Sequence, residues 1–252
     1  MDIDLSDDCA LVTGASRGIG RGIAEGLAAA GASVGVNHPP NSDERKKAEK
    51  VAESIQEVGG TAITLEADVS DAGEVKKMLS TFEDEFGPPN TVVNNAGIAP
   101  QSRFVDIPVE MWDRTIEVDL RGVFLVSRYA VPGMIERGSG NVINIASQLG
   151  FKGAEELVHY CAAKGGVIAF TRALARELAP DITVNAIAPG SIDTDLTSDL
   201  SDEWRHAKEA EIPLNRIGTV DDIVPTAVFL ASEHSSYYTG QTLSPDGGDA
   251  MH

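Results

Sequence analysis

The chain of 252 residues predicts an α/β protein built on a doubly wound parallel sheet with helices on both faces. Two observations predict it. Short apolar segments alternate along the chain with longer segments of helical period, and no low-complexity linker or fixed repeat interrupts them. The first apolar segment also runs straight into a glycine-rich turn and a helix, in Leu11-Val12-Thr13-Gly14-Ala15-Ser16-Arg17-Gly18-Ile19-Gly20. Strands are expected near 9–13, 33–37, 61–66, 91–94, 140–146, 182–187 and 241–245. Helical patterns lie near 18–30, 43–58, 71–86, 109–137, 158–178 and 221–232. One domain over 1–252 accommodates them all and is long enough to bury a full core.

Charge narrows the function classes. The chain carries 39 acidic against 20 basic residues, a net charge of −19, and arginine outnumbers lysine. Such a field repels nucleic acid and anionic membranes, so neither is expected as a partner. It suits a protein kept soluble in concentrated salt, where self-repulsion is screened; an ordinary acidic cytosolic enzyme is the alternative. No apolar run approaches the roughly 18 residues needed to span a bilayer. The start, Met1-Asp2-Ile3-Asp4, lacks the basic and apolar regions of a signal peptide. Cys9 and Cys161 are too few for a disulfide framework, which agrees with a reducing cytoplasm.

Two stretches carry chemistry. In the glycine turn, small residues let backbone N–H groups approach a pyrophosphate, which then sits at a helix N-terminus where the dipole favours negative charge. The spacing is GxxxGxG, not the GxGxxG of the standard dinucleotide fingerprint. The second stretch runs from Ser147 to Lys164. Residues 140–146 read as an apolar strand that delivers the Ser147 hydroxyl at its carboxyl end. Tyr160 and Lys164 stand four apart on the following helix and share a face. An ammonium beside a phenol favours the phenolate, so Tyr160 is expected below its ordinary value of about 10. A phenol so tuned can exchange a proton with a carbonyl or alcohol oxygen that a serine hydroxyl holds in place. The redox group missing from this set would come from a dinucleotide on the glycine turn.

Six motifs in order, Thr13-Gly14-x-x-x-Gly18-Ile19-Gly20, Asp68-Val69, Asn94-Asn95-Ala96-Gly97, Ser147, Tyr160-x-x-x-Lys164 and Pro189-Gly190, resemble those of the short-chain dehydrogenase/reductase family over nearly the whole chain. The resemblance implies a single Rossmann-type sheet of seven parallel strands and NAD(P)(H)-dependent hydride transfer between a carbonyl and a secondary alcohol. It implies Tyr160 as the acid or base, Lys164 tuning it and binding the nicotinamide ribose, and Ser147 positioning the substrate oxygen beside Gln148. For the cofactor it implies Gly14, Ser16, Arg17, Gly18, Ile19 and Gly20 at the pyrophosphate end and Asp68 with Val69 at the adenine. Asn95, Ala96 and Gly97 would lie along the cofactor, with Asn94 structural. Pro189, Gly190, Ile192 and Thr194 would receive the nicotinamide carboxamide. No metal is expected. Asp119 departs from the family, which has asparagine there to hold a water on a proton relay to the lysine. Aspartate keeps an acceptor but loses the amide donor.

Cofactor choice turns on the end of the second strand, where an NAD enzyme usually carries Asp or Glu. Here the residues are Asn37 and His38, and Arg17 in the turn could pair with a 2′-phosphate, so NADP(H) is favoured with NAD(H) possible. The helices around 117–137 and 158–178 are apolar beyond one stripe and need a second surface, which the resemblance equates with a homotetramer or homodimer. Residues 195–216 read as a mobile lid with Trp204 as its one large anchor. The resemblance is strongest to 3-oxoacyl-acyl-carrier-protein reductases, with Arg103, Arg121, Arg128 and Arg172 as possible docking residues, although the net charge opposes an acidic carrier. A sugar 1-dehydrogenase is the alternative, for which Gln101, Gln148, Glu155 and His159 would suit hydroxyl groups. A non-catalytic dinucleotide-binding regulator is the remote one.

Overall fold

The computed structural model describes residues 3–194 and 201–251. Its strands are β1 (Cys9–Val12), β2 (Ser33–His38), β3 (Thr61–Glu66), β4 (Thr91–Asn94), β5 (Gly140–Ile145), β6 (Ile182–Ile187) and β7 (Thr242–Leu243). Its helices are α1 (Gly18–Ala29), α2 (Ser42–Glu57), α3 (Ala72–Phe86), α4 (Val109–Ile116), α5 (Gly122–Arg137), α6 (Leu149–Lys152), α7 (Val158–Leu178), α8 (Asp202–Glu211) and α9 (Val224–Ala231). The strands form one sheet in the order β3-β2-β1-β4-β5-β6-β7, and every pairing is parallel. Order reverses between β1 and β4, and in such sheets the ligand crevice opens outside the carboxyl ends of the strands at that point.

Alternation along each strand feeds two apolar layers. Ala10, Val12, Val34 and Val36 pack with α1, α2 and α9 on one face. Cys9, Leu11, Val92, Val142 and Val184 pack with α3, α5 and α7 on the other. Burial on both faces is why the strands read as continuous apolar runs. Helix starts follow local chemistry. Asn41 caps α2 by accepting from the N–H groups of Asp43 and Glu44, and Asp71 caps α3 from those of Gly73 and Glu74.

Gly35 in β2 faces the tightest part of the sheet's second layer. A Cβ there would lie 2.7 Å from Phe82 and 2.9 Å from Leu65. Gly35→Ala is therefore expected to lower stability by about 1–3 kcal/mol through overpacking, read by chemical denaturation. An unchanged midpoint would contradict this packing.

Two expectations are corrected, and part of a third segment is described. The helix expected without a break over 109–137 is interrupted by a π-helical turn, Glu117–Arg121, whose extra residue swings Asp119 inward. The last strand is shorter than 241–245, because Pro245 has no N–H to extend the ladder. The segment expected as a lid contains α8 from Asp202, started by the Ser201 hydroxyl accepting from Trp204 N–H. Residues 195–200 of that segment lie outside the described residues.

Candidate active site

The glycine turn lies at the switch point. Gly14 and Gly18 adopt φ of +61° and +55°, the left-handed region that favours glycine. A Cβ on Gly14 would sit 2.8 Å from Ala96 Cα, and one on Gly20 would sit 2.4 Å from the Gly14 carbonyl oxygen. The turn is braced from β4. The Thr13 hydroxyl accepts from the N–H groups of Asn95 (3.0 Å) and Ala96 (3.1 Å). The Asn95 amide donates to the carbonyls of Thr13 (2.9 Å) and Gly14 (3.0 Å), so this side chain holds the turn in shape. At the start of α1, Arg17 supplies no side-chain cap, and the first-turn N–H groups suit an anion. A Cβ on Gly18 would stand 3.7 Å from Thr194, so the turn faces the segment after β6 across a narrow cleft. A backbone cradle that tolerates only glycine, at an uncapped helix start, fits a dinucleotide pyrophosphate.

Asn37 and His38 turn away from that cleft. Both are buried. Asn37 Oδ1 accepts from Gly14 N–H (3.1 Å), and its amide donates to the carbonyls of Leu65 and Ala67. His38 Nδ1 lies 2.8 Å from the Pro39 carbonyl oxygen. The strand end thus holds the turn with one residue and its own loop with the other. Asp68 accepts from the Ser70 N–H and hydroxyl, and pairs with Arg114 at 2.8 Å. Although burial opposes it, these partners hold its carboxyl below the ordinary value. Val69 is buried against Gly122.

Beyond β5, Ser147 and Tyr160 share a side-chain hydrogen bond. Ser147 is buried, and its hydroxyl accepts from Leu149 N–H at 3.1 Å. Lys164 Nζ donates to the Ile145 carbonyl at 3.0 Å, lies 5.7 Å from the Tyr160 ring centroid, and stands 3.3 Å from Asp119 Oδ2. Asp119 is fully buried, and its Oδ1 accepts from Ile98 N–H at 2.8 Å. Gly97 makes room for the pair, since a Cβ there would stand 2.8 Å from Asp119 Oδ2 and 3.3 Å from Lys164 Nζ.

The electrostatics correct one expectation. The sequence alone predicts a lowered Tyr160. In the folded chain burial raises the phenol above its ordinary value, and the Asp119 charge raises it further, against the downward pull of Lys164 and Ser147. Lys164 has the predicted sign, but Asp119 spends part of its field. Burial pulls the Lys164 ammonium down, yet Asp119 first and Tyr160 second outweigh it and leave its value raised. Burial raises Asp119 itself, with Lys164 and Ile98 N–H opposing.

A buried polar chain supports this cluster from behind. The Asn94 amide donates to Ser127 (3.0 Å) and Asn144 (2.8 Å), and the Asn144 amide donates to Thr171 (2.9 Å). On the other side, Gln148 N–H donates to the Pro189 carbonyl, and Gly190 packs so closely on Asp246 that a Cβ would lie 2.7 Å from its Cα. Ile192 is buried and bridges to Gly218 through its backbone. The Gln148 amide donates to Asp249 (2.7 Å), which also receives Lys152 (2.6 Å) and Lys208 of α8 (2.7 Å). Of the residues named for a sugar, His159 is buried with Nε2 2.8 Å from the Pro100 carbonyl oxygen, while Gln101 and Glu155 are exposed. Arg103, Arg121, Arg128 and Arg172 are all exposed.

Sequence reading missed Ser70, Arg114, Asn144 and Asp249, whose parts depend on contacts between distant segments. Thr13 was named within the glycine motif, but not for the brace that its hydroxyl forms.

The chain matches, over residues 14–249, the family model described as enoyl-(acyl carrier protein) reductase. It is 44% identical over 243 residues to the 3-oxoacyl-[acyl-carrier-protein] reductase of Staphylococcus aureus, covering 96% of this chain and 98% of that one. Nodulation protein G of Azospirillum brasilense is 44% identical over 184 residues, 73% of this chain and 75% of that protein. Among solved structures, a short-chain type dehydrogenase/reductase from Mycobacterium marinum superposes with a TM-score of 0.93 at 37% identity, covering 100% of this chain and 98% of the other. A gluconate 5-dehydrogenase from Burkholderia cenocepacia, in complex with NADP and tartrate, gives 0.93 at 33% identity, covering 98% and 97%. The chain belongs to the short-chain dehydrogenase/reductase family. It is an oxidoreductase that interconverts a carbonyl and an alcohol with a nicotinamide dinucleotide.

Proposed function

We propose that the chain reduces a 3-oxoacyl thioester to the 3-hydroxyacyl thioester with NADPH. The observation that carries this reading is the hydrogen bond between Ser147 and Tyr160 with Lys164 beside the Tyr160 ring, in a chain 44% identical to a 3-oxoacyl-[acyl-carrier-protein] reductase. Gly14, Ser16, Arg17, Gly18, Ile19 and Gly20 would hold the phosphates, and Asp68 with Val69 the adenine. Ala96 and Gly97 would run alongside, with Asn95 acting through the turn that it braces. Lys164 would take the nicotinamide ribose, and Pro189, Gly190, Ile192 and Thr194 the carboxamide. When bound, the reduced nicotinamide supplies the hydride.

The rest is done by side chains. Ser147 holds the carbonyl oxygen by a donated hydrogen bond, and Tyr160 gives that oxygen its phenolic proton as the carbon becomes tetrahedral. A phenol raised by burial is a full reservoir of that proton at neutral pH. Lys164 steadies the phenolate left behind, and Asp119 supports the charge on Lys164 against the opposing effect of burial. Gln148, pinned by Asp249, lines the substrate side, and the segment 195–216 serves as the lid. Exposed Arg103, Arg121, Arg128 and Arg172 offer positive charge to a carrier protein.

A sugar 1-dehydrogenase, oxidising an aldose to its lactone, is the second reading, and the likeness to a gluconate 5-dehydrogenase supports it only as far as a polyhydroxylated substrate. Absorbance of the reduced nicotinamide separates the two, measured at high and low salt. Loss of NADPH on adding a β-ketoacyl thioester is expected. Formation of NADPH from an aldose, with no thioester activity, would replace this reading with the second. Cofactor binding without turnover of either would leave a dinucleotide-binding regulator.

The assembly proposed is a homotetramer or homodimer. Phe124 and Ile135 of α5, Trp112 of α4 and Val158 of α7 stay exposed on one chain, which supports a second surface over these helices. Work in the cytoplasm of a salt-loving cell accounts for the net charge of −19. No helix among the described residues is long and apolar enough to cross a membrane.

A further inference from the structure

The carboxylate expected at the end of β2 in an NAD enzyme is absent from that strand, but it is present in space. Glu44, in the first turn of α2, reaches back to the glycine turn. Its Oε2 accepts from the Ser16 hydroxyl at 2.5 Å, and its Oε1 lies 3.7 Å from Arg17 Nε and 3.0 Å from Lys47 Nζ. The Glu44 side chain is only 17% exposed, so this is a built contact and not a chance surface pair. The place is the ribose end of the cleft, because Ala15 N–H in the same turn donates to the Asn37 carbonyl at the end of β2. In this fold the residue at that strand end meets the ribose 2′ position. Asn37 and His38 leave the position open by turning inward.

We propose that Glu44 sets cofactor selectivity by seating its carboxylate on Ser16 and Arg17, the groups a 2′-phosphate would take. The inference rests on the reading of this cleft as an NADP(H) site, and it adds the competitor that sits in it. A hydroxyl and a guanidinium that face one anion will accept another of similar size. Two anions cannot share them, because like charges in a half-buried site repel. Binding of a 2′-phosphate therefore requires Glu44 to swing off Ser16 and Arg17, with Lys47 on its outer side to receive it. A bare ribose requires no such movement, and its 2′-hydroxyl can donate to the carboxylate where it stands. Glu44 thus narrows the gap between NADP(H) and NAD(H) that Arg17 would otherwise open.

The test is equilibrium binding to the full chain, by calorimetry, without substrate. NADPH, NADH, adenosine 2′,5′-bisphosphate and adenosine 5′-monophosphate would be titrated into the wild type, Glu44→Gln and Glu44→Ala. Both variants are expected to bind NADPH and the 2′,5′-bisphosphate about tenfold more tightly, the scale of a relieved like-charge contact. Affinity for NADH and the monophosphate should stay level or fall. Agreement of the two variants guards against a folding defect in one, and a thermal melt of each checks for it. Equal NADPH affinity in all three proteins, or weaker affinity in the variants, would overturn the role of Glu44 and leave the NADP(H) reading standing. A wild type that binds NADH and refuses NADPH, with variants that accept NADPH, would overturn the NADP(H) reading and uphold Glu44.

Discussion

Replacing Tyr160 with phenylalanine is expected to lower turnover by about 10²–10⁴-fold, the usual worth of a positioned acid or base. The ring is retained, so its packing and the cation contact with Lys164 at 5.7 Å survive. What disappears is the hydroxyl that bonds Ser147 beside Lys164 and can trade a proton with the substrate oxygen. Dinucleotide binding should persist, since the cradle is made by Gly14, Gly18 and Gly20 and braced by Thr13 and Asn95. Single-turnover absorbance and calorimetry on the same preparation separate the two. A variant that binds cofactor yet keeps more than about a tenth of the wild-type rate would remove Tyr160 from the proton step.

Truncating Asp119 to alanine is expected to cost about 3–5 kcal/mol of stability, because it leaves Lys164 buried without its counter-charge. The pair is buried, with the two side chains 3% and 0% exposed. Asparagine at the same place should behave differently. It still accepts from Ile98 N–H and can fill the space that Gly97 leaves, but it removes a charge that raises the Tyr160 phenol. The phenol then falls. Reduction needs the protonated phenol, so its rate declines as pH rises through that value, and in Asp119→Asn the decline should begin at lower pH. Oxidation needs the phenolate, so its rise should begin at lower pH as well. pH–rate profiles in both directions check the sign. Profiles that coincide with the wild type would mean that Asp119 does not act on Tyr160, and a denaturation midpoint unmoved in Asp119→Ala would mean that the pair carries no stability.

Much of this was legible before folding because it depends on short spacings. The left-handed turn at Gly14 and Gly18 is announced by the glycines themselves, and Tyr160 with Lys164 by the pitch of a helix. The two apolar layers follow from alternation in β1 and β2. Asp71 caps α3 by accepting from the N–H groups of Gly73 and Glu74, a short-range contact of the kind that local sequence favours.

Three things came only with the fold. The π-helical turn that aims Asp119 at Lys164 has no signature in a segment whose period reads as one helix. The net direction at Tyr160 depends on how deeply the site is buried, and burial is a property of packed elements that spacing on one helix does not contain. The carboxylate at the ribose end comes from Glu44 of α2, while Asn37 and His38, which stand at the expected place in the sequence, turn into the core. In each case the deciding contact joins residues far apart in the chain. Chain-local pattern names the chemical groups present, and the packing of sheet against helices selects which of them face one another and how much water remains between them.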